Sequence, residues 1–216
     1  MKVIPNTSST MLIIWTLLLL TGLISLGLAR WSLAFVSLTT LSLALVPPLL
    51  AARWSLTLPL PFLLFTTLFC FASIFLGEAF DFYERLWWWD LALHGSSAVG
   101  FGLMGFLFAF MLFEGDRFAA PPSAIALISF CVAMTVGATW EIFEFTMDAG
   151  LGMNMQKSGL SDTMGDLILN AFGGLIASVT GYLYLRQSPA GLLGRGLSQF
   201  IKVNSRLYRK YKNRLK

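Results

Sequence analysis

MLIIWTLLLLTGLISLGLA (residues 11–29) runs through 19 positions without a charge. A helix of about 20 apolar residues crosses the roughly 30 Å hydrocarbon core of a bilayer, so this stretch reads as a membrane span. Five further apolar runs follow, over 32–52, 58–76, 91–113, 123–147 and 164–185. Helices are the expected form: in lipid each span has to satisfy its own backbone hydrogen bonds, and no alternating barrel pattern is present. Pro47 and Pro48 are expected to kink the second span, and Pro59 with Pro61 to delay the start of the third.

The composition agrees. Of 216 residues, 56% are hydrophobic and 12% charged, against about 45–50% and about 25% in a soluble domain. A soluble enzyme, a secreted disulfide scaffold and a disordered chain are excluded. Cys70 and Cys131 lie inside apolar runs with no CxxC pairing and no neighbouring His, and read as small buried hydrophobes. The first run lacks the small-residue cleavage site of a signal peptide.

The expected fold is therefore an all-α polytopic membrane protein with six transmembrane helices and a basic amphipathic C-terminal helix. It divides by chemistry into an apolar scaffold (1–77), a half carrying polar residues (78–186) and a basic tail (187–216).

Orientation follows the collection of Lys and Arg on the cytoplasmic side. Arg186, Arg195, Lys202, Arg206, Arg209, Lys210, Lys212, Arg214 and Lys216 are nine of the 15 basic residues. They place the tail in the cytoplasm and, with six spans, the N-terminus with Lys2 beside it. The acidic 78–90 loop (Glu78, Asp81, Glu84, Asp90 against Arg85) then lies outside, at the inner membrane of a cell envelope. In the tail, Leu197, Phe200, Ile201, Leu207, Tyr208, Tyr211 and Leu215 recur near helical spacing among the basic residues, the pattern of a helix resting on anionic lipid. No nucleic-acid-reading module accompanies this charge. Trp87-Trp88-Trp89 sits where aromatic belts are normal.

The polar residues of the last three spans are ordered. The fourth span opens with Asp90 and His94, four apart and so on one helix face, and Ser97 continues that face. The fifth ends with Glu141, Glu144 and Asp148, and the sixth opens with Asp162, Asp166 and Asn170. All fall in the outer half of the membrane, and they include six of the 11 acids and the only His. Carboxylates so grouped cannot all ionise without positive balance. A divalent cation (Zn, Mn or Fe) is one source, with His94, Glu141, Glu144, Asp162 and Asp166 as candidate ligands. Shared protons are a second, and Arg30, Arg85 or Lys157 a third. A single His excludes a three-His zinc site within one chain. If the site is catalytic, Glu141, Glu144 and Asp166 are the candidate acid–base groups, with Asp90, Asp148 and Asn170 completing the polar set. Asp90 and Asp162 also read as helix caps. The glycines of spans four and six allow close helix approach, and the 149–161 loop lies above the site.

These residues resemble the VanZ-like integral membrane proteins and the related YjdF-type family. Asp90 and His94, then Glu141, then Asp166, Asn170 and Gly173 match the VanZ-like pattern. Glu141 with Glu144, and Asp162-Thr163 with Asp166, match the YjdF-type additions. Leu91 stands where VanZ-like proteins usually carry Lys, and Lys157 only loosely replaces their Arg. The resemblance covers residues 90–181 and implies a cell-envelope role, with one branch linked to glycopeptide-antibiotic resistance. Together with the site it points to a lipid or lipid-linked envelope precursor as substrate. A non-catalytic envelope module and an ion-coupled transporter are the alternatives.

Overall fold

A computed structural model describes residues 7–113, 120–186 and 191–208. Lys2 and the tail residues Arg209, Lys210, Tyr211, Lys212, Arg214, Leu215 and Lys216 lie outside them. Every regular element among the described residues is helical, and six helices are long and apolar enough to cross a membrane. The chain forms two compact units, Met1–Trp89 and Asp90–Lys216.

In the first unit, α1 (Ser9–Gly27) begins where the Ser8 hydroxyl accepts the Met11 N–H at 3.2 Å, satisfying one donor left over at a helix start. Helix α2 (Trp31–Arg53) packs along α1. Pro47 and Pro48 lie inside α2, whose backbone stays helical through both. Helix α3 (Leu60–Ala79) starts after Pro59, with Pro61 in its first turn, and passes through a π-helical segment at Phe71–Leu76. Proline suits these first positions because its missing N–H has no partner there anyway. Met11, Leu18, Ala44, Leu63 and Phe75 fill the interior of this unit. The Trp run closes it, with Trp89 edge-on to Phe82 at 4.9 Å between ring centres and Trp87 and Trp88 exposed.

The second unit carries the polar residues on α4 (Trp89–Leu112), α5 (Pro122–Leu151) and α6 (Leu160–Arg186). Contacts of Gly95 with Gly173 and of Gly102 with Ala177 set α4 and α6 parallel. Contacts of Gly105 with Val132 and of Gly137 with Asn170 run α5 antiparallel to both. Two glycines are required by proximity. At Gly173 a Cβ would strike the Gly95 carbonyl and the Ala98 methyl, and at Gly137 it would strike the Asn170 amide. Small residues let helices approach in lipid, where association depends on contact rather than on a hydrophobic driving force. Two hydroxyls cross the seams: Ser129 Oγ donates to the Gly102 carbonyl (2.7 Å) and Ser178 Oγ to that of Ala126 (2.8 Å). Cys131, expected to be buried, is exposed on α5, and both thiols are free.

The end of this bundle away from Asp90 is closed by α7 (Gly191–Val203). Leu197, Ile201 and Tyr208 join Phe106, Phe110, Ile125, Tyr184 and Leu185 in one buried cluster. The Tyr208 hydroxyl donates to the Leu107 carbonyl at 3.1 Å. Among the described residues, the apolar face expected to rest on lipid (Leu197, Phe200, Ile201, Leu207 and Tyr208) is thus packed on protein, because aromatic side chains at the ends of α4 and α6 offer it a partner.

Candidate metal centre

His94 is the hub of the polar cluster. Its ring is buried, one turn into α4, and each nitrogen meets carboxylates from a different direction. Nε2 lies 3.6 Å from Asp90 Oδ1 and 3.9 Å from Asp166 Oδ2. Nδ1 lies 3.7 Å from Glu141 Oε1. The four-residue step within α4 brings Asp90 beside His94. The antiparallel α5 supplies Glu141, and the parallel α6 supplies Asp166 at the same level.

Asp90, His94 and Asp166 form a set whose ligand atoms all lie within 4.8 Å of one another. Two ligands at about 2.0–2.1 Å from a tetrahedral ion are about 3.3–3.4 Å apart. The Nε2–carboxylate spacings are a few tenths of an ångström longer than that edge length, which makes this group a candidate site for a small divalent ion. Asp90 therefore belongs with the ligand candidates, from which the sequence expectation had left it out.

The other acids have different partners. Glu144 is buried, and its Oε1 accepts the Trp140 indole N–H at 2.9 Å. Asp148 accepts the backbone N–H groups of Met155 (2.7 Å) and Gln156 (2.9 Å). Asp162 accepts the Lys157 N–H at 3.1 Å. Both Asp90 and Asp162 sit in the first turn of their helices, inside the cap positions expected for them. Asp148 and Asp162 serve the connection between α5 and α6, which at 152–159 is shorter than the expected 149–161 loop because both helices extend into it. The Gln156 amide further fastens it by donating to Thr163 Oγ1 at 2.6 Å. Of the five expected metal ligands, His94 and Asp166 meet at Nε2, Glu141 stands behind the ring, and Glu144 and Asp162 are engaged elsewhere.

Buried polar atoms at the centre lack hydrogen-bond partners among the described residues. Both carboxylate oxygens of Glu141 and of Asp166, and both amide atoms of Asn170, make no hydrogen bond. Asn170 neighbours His94 and Thr163 neighbours Glu141 without reaching hydrogen-bond geometry. Asp166 and Asn170 are each 1% exposed and Glu141 is 4% exposed. An unsatisfied buried polar group costs about 1–3 kcal/mol, more when charged, so a cluster of them in the bundle calls for ordered water, a ligand or protons. Sequence reasoning missed Trp140 and Gln156 as partners. The four-residue spacing of Trp140 and Glu144 was a usable signal, whereas the Gln156 contacts depend on loop geometry.

The fold and this cluster define a multi-pass membrane protein with a buried carboxylate–imidazole centre in its second unit. The chain belongs to the predicted membrane protein family DUF2238, whose family model matches residues 9–187. An uncharacterized protein of Thermotoga maritima is 34% identical over 112 residues, covering 50% of this chain and 57% of that relative. No solved structure matches the chain.

Proposed function

We propose that this protein binds one divalent cation through Asp90, His94 and Asp166, and that the site acts on a lipid or lipid-linked envelope precursor at the outer face of the inner membrane. The observation that carries the reading is a buried imidazole 3.6–3.9 Å from three carboxylates, with Glu141, Asp166 and Asn170 making no hydrogen bond among the described residues. A bare carboxylate cluster is costly to bury, and a dication balances it where a single imidazole does not. Glu141, behind Nδ1, fixes the ring so that Nε2 is the donor, the role a carboxylate plays behind many metal-bound histidines. A bound divalent ion supplies Lewis acidity at a carbonyl or phosphoryl oxygen. Glu144, held by Trp140, is the general base that takes a proton from water. Asn170, buried beside His94, offers an amide to orient the reacting group.

The likeness to VanZ-like and YjdF-type proteins, residue by residue at Asp90, His94, Glu141, Asp166 and Asn170, supports an envelope role. The excess of Lys and Arg after the last span supports cytoplasmic termini, which a C-terminal fluorescent fusion tests directly. A second reading is a non-catalytic envelope module in which protons and the imidazole balance the acids. It is favoured by the structural employment of Asp148 and Asp162 in the loop. An ion-coupled transporter has less support, because the carboxylates and the imidazole of α4–α6 gather toward one end of the bundle.

Elemental analysis of detergent-purified protein decides between the first two. One bound metal per chain is expected, lost in Asp166→Asn and His94→Ala and kept in Glu144→Gln. Metal-free wild-type protein that stays metal-free after incubation with Zn, Mn and Fe would overturn the metal reading.

A further inference from the structure

We propose that the exposed face of α7 is a docking surface for anionic lipid headgroups. The buried side of this segment is Gly194, Leu197, Ile201, Asn204 and Tyr208. Leu192, Arg195, Gln199 and Lys202 recur at the same three- and four-residue steps along α7 and are all exposed, and Arg206 is exposed in the turn after it. At about 100° per residue these stripes lie on nearly opposite sides of a helix. One face of the helix is fixed to protein, and the other presents Arg195 and Lys202, with Arg206 exposed in the turn that follows Val203.

The position matches a membrane surface. Helix α7 packs on Phe106 and Phe110 near the end of α4, on Ile125 at the start of α5, and on Tyr184 and Leu185 at the end of α6. Leu107, bonded to Tyr208, is 13 residues from His94, about 20 Å along the helix axis. The basic stripe therefore belongs to the membrane face opposite the acidic centre. Arg186 ends α6 on that side, and the sequence adds Arg209, Lys210, Lys212, Arg214 and Lys216. No Asp or Glu follows Asp166 in the chain. The α4–α5 connection brings Glu114 and Asp116 with Arg117, which does not offset that excess.

Binding here differs from insertion. Of the apolar residues of the segment, Leu197, Phe200, Ile201, Leu207 and Tyr208 are already packed on the bundle and Leu192 and Val203 are exposed, so attraction rests mainly on charge. Burial pushes the Tyr208 phenol above its ordinary range, so it remains a hydrogen-bond donor and holds the segment in place. Each Lys or Arg beside an anionic leaflet strengthens binding about fivefold, and salt weakens the effect.

The test uses the full chain in phosphatidylcholine nanodiscs or mixed micelles, titrated with phosphatidylglycerol and followed by thermophoresis. Saturable, salt-sensitive binding is expected. It should weaken about fivefold in Lys202→Gln and more than tenfold in Arg195→Gln/Lys202→Gln/Arg206→Gln. All three side chains are exposed, and an unchanged circular dichroism spectrum and thermal midpoint verify folding. If the triple variant misfolds, Lys202→Gln alone decides. Equal binding of phosphatidylglycerol and phosphatidylcholine overturns the proposal, as does variant binding equal to wild type. Capture of RNA without preference for the anionic lipid overturns it too. Metal content is unchanged in these variants, so this outcome is independent of the metal reading.

Discussion

His94 and Glu141 face each other between α4 and α5, Nδ1 to Oε1 at 3.7 Å, which leaves Nε2 directed at Asp90 and Asp166. On the proposed metal reading the two ring nitrogens have different work, one for orientation and one for the ligand. Glu141→Gln tests this division. It keeps the donors around Nε2 and removes the anion behind the ring, so metal affinity is expected to fall about 10- to 100-fold without being abolished. Competition with a chromophoric chelator measures it. Affinity unchanged in Glu141→Gln, or loss as complete as in His94→Ala, would refute the assignment.

Much of this arrangement was legible in the sequence because helices are periodic. Asp90 and His94 four apart, and Asp162, Asp166 and Asn170 at like steps, announced stripes before any helix was built. Alternation of the spans through the membrane then brought three stripes to one level. Periodicity does not say which acids have local partners. Glu144 is engaged by Trp140, one turn away on its own helix, and Asp148 by backbone N–H groups of a loop whose path no periodicity encodes. The tail shows a second limit. An amphipathic pattern states that one face leaves water, and both lipid and protein satisfy it. The Tyr208 ring, tilted against Phe110 at 5.6 Å between centres, decided the matter here, through a contact that joins residues far apart in sequence.

The convergence of α4 and α6 depends on Gly173, whose missing side chain admits the Gly95 carbonyl. A branched side chain has to push backbone against backbone, since no flexible group is available to yield. Gly173→Val is expected to destabilise the fold by about 1–3 kcal/mol or more and to lower metal occupancy with it, as Asp166 is displaced from His94. Thermal unfolding in detergent and elemental analysis, run on the same sample, check both. Normal stability with full occupancy would show that the helices are held apart by something else.

Tyr208 contributes through its ring and through its hydroxyl. Tyr208→Phe keeps the ring on Phe110 and removes only the bond to the Leu107 carbonyl, an expected cost of about 0.5–1.5 kcal/mol. Tyr208→Ala also opens a cavity in the cluster of Phe106, Phe110 and Tyr184 and should cost about 3–5 kcal/mol. Limited proteolysis of the tail measures the ratio, with rapid release of the segment in the alanine variant and near wild-type resistance in the phenylalanine variant. Equal resistance in both would mean that α7 is held by Leu197 and Ile201 alone.

The 149–161 loop owes its shape to Asp148 and Gln156. Asp148 takes two backbone N–H groups, and the Gln156 amide reaches Thr163 on the far side, so the end of α5 is tied to the start of α6. Bonds to a charged acceptor contribute about 1.5–3 kcal/mol, and an amide oxygen in the same place accepts more weakly. Asp148→Asn and Gln156→Ala should each open the loop to proteolytic cleavage. Because neither residue is within the Asp90, His94 and Asp166 group, both variants should retain metal at equilibrium. A loop that only connects two helices leaves the exchange rate of bound metal unchanged when it is loosened, whereas a loop that covers the centre makes exchange faster. Isotope exchange on the two variants separates these cases. Faster exchange with undiminished affinity is the outcome expected, because Thr163 neighbours Glu141 and sets the loop's foot at the edge of the cluster.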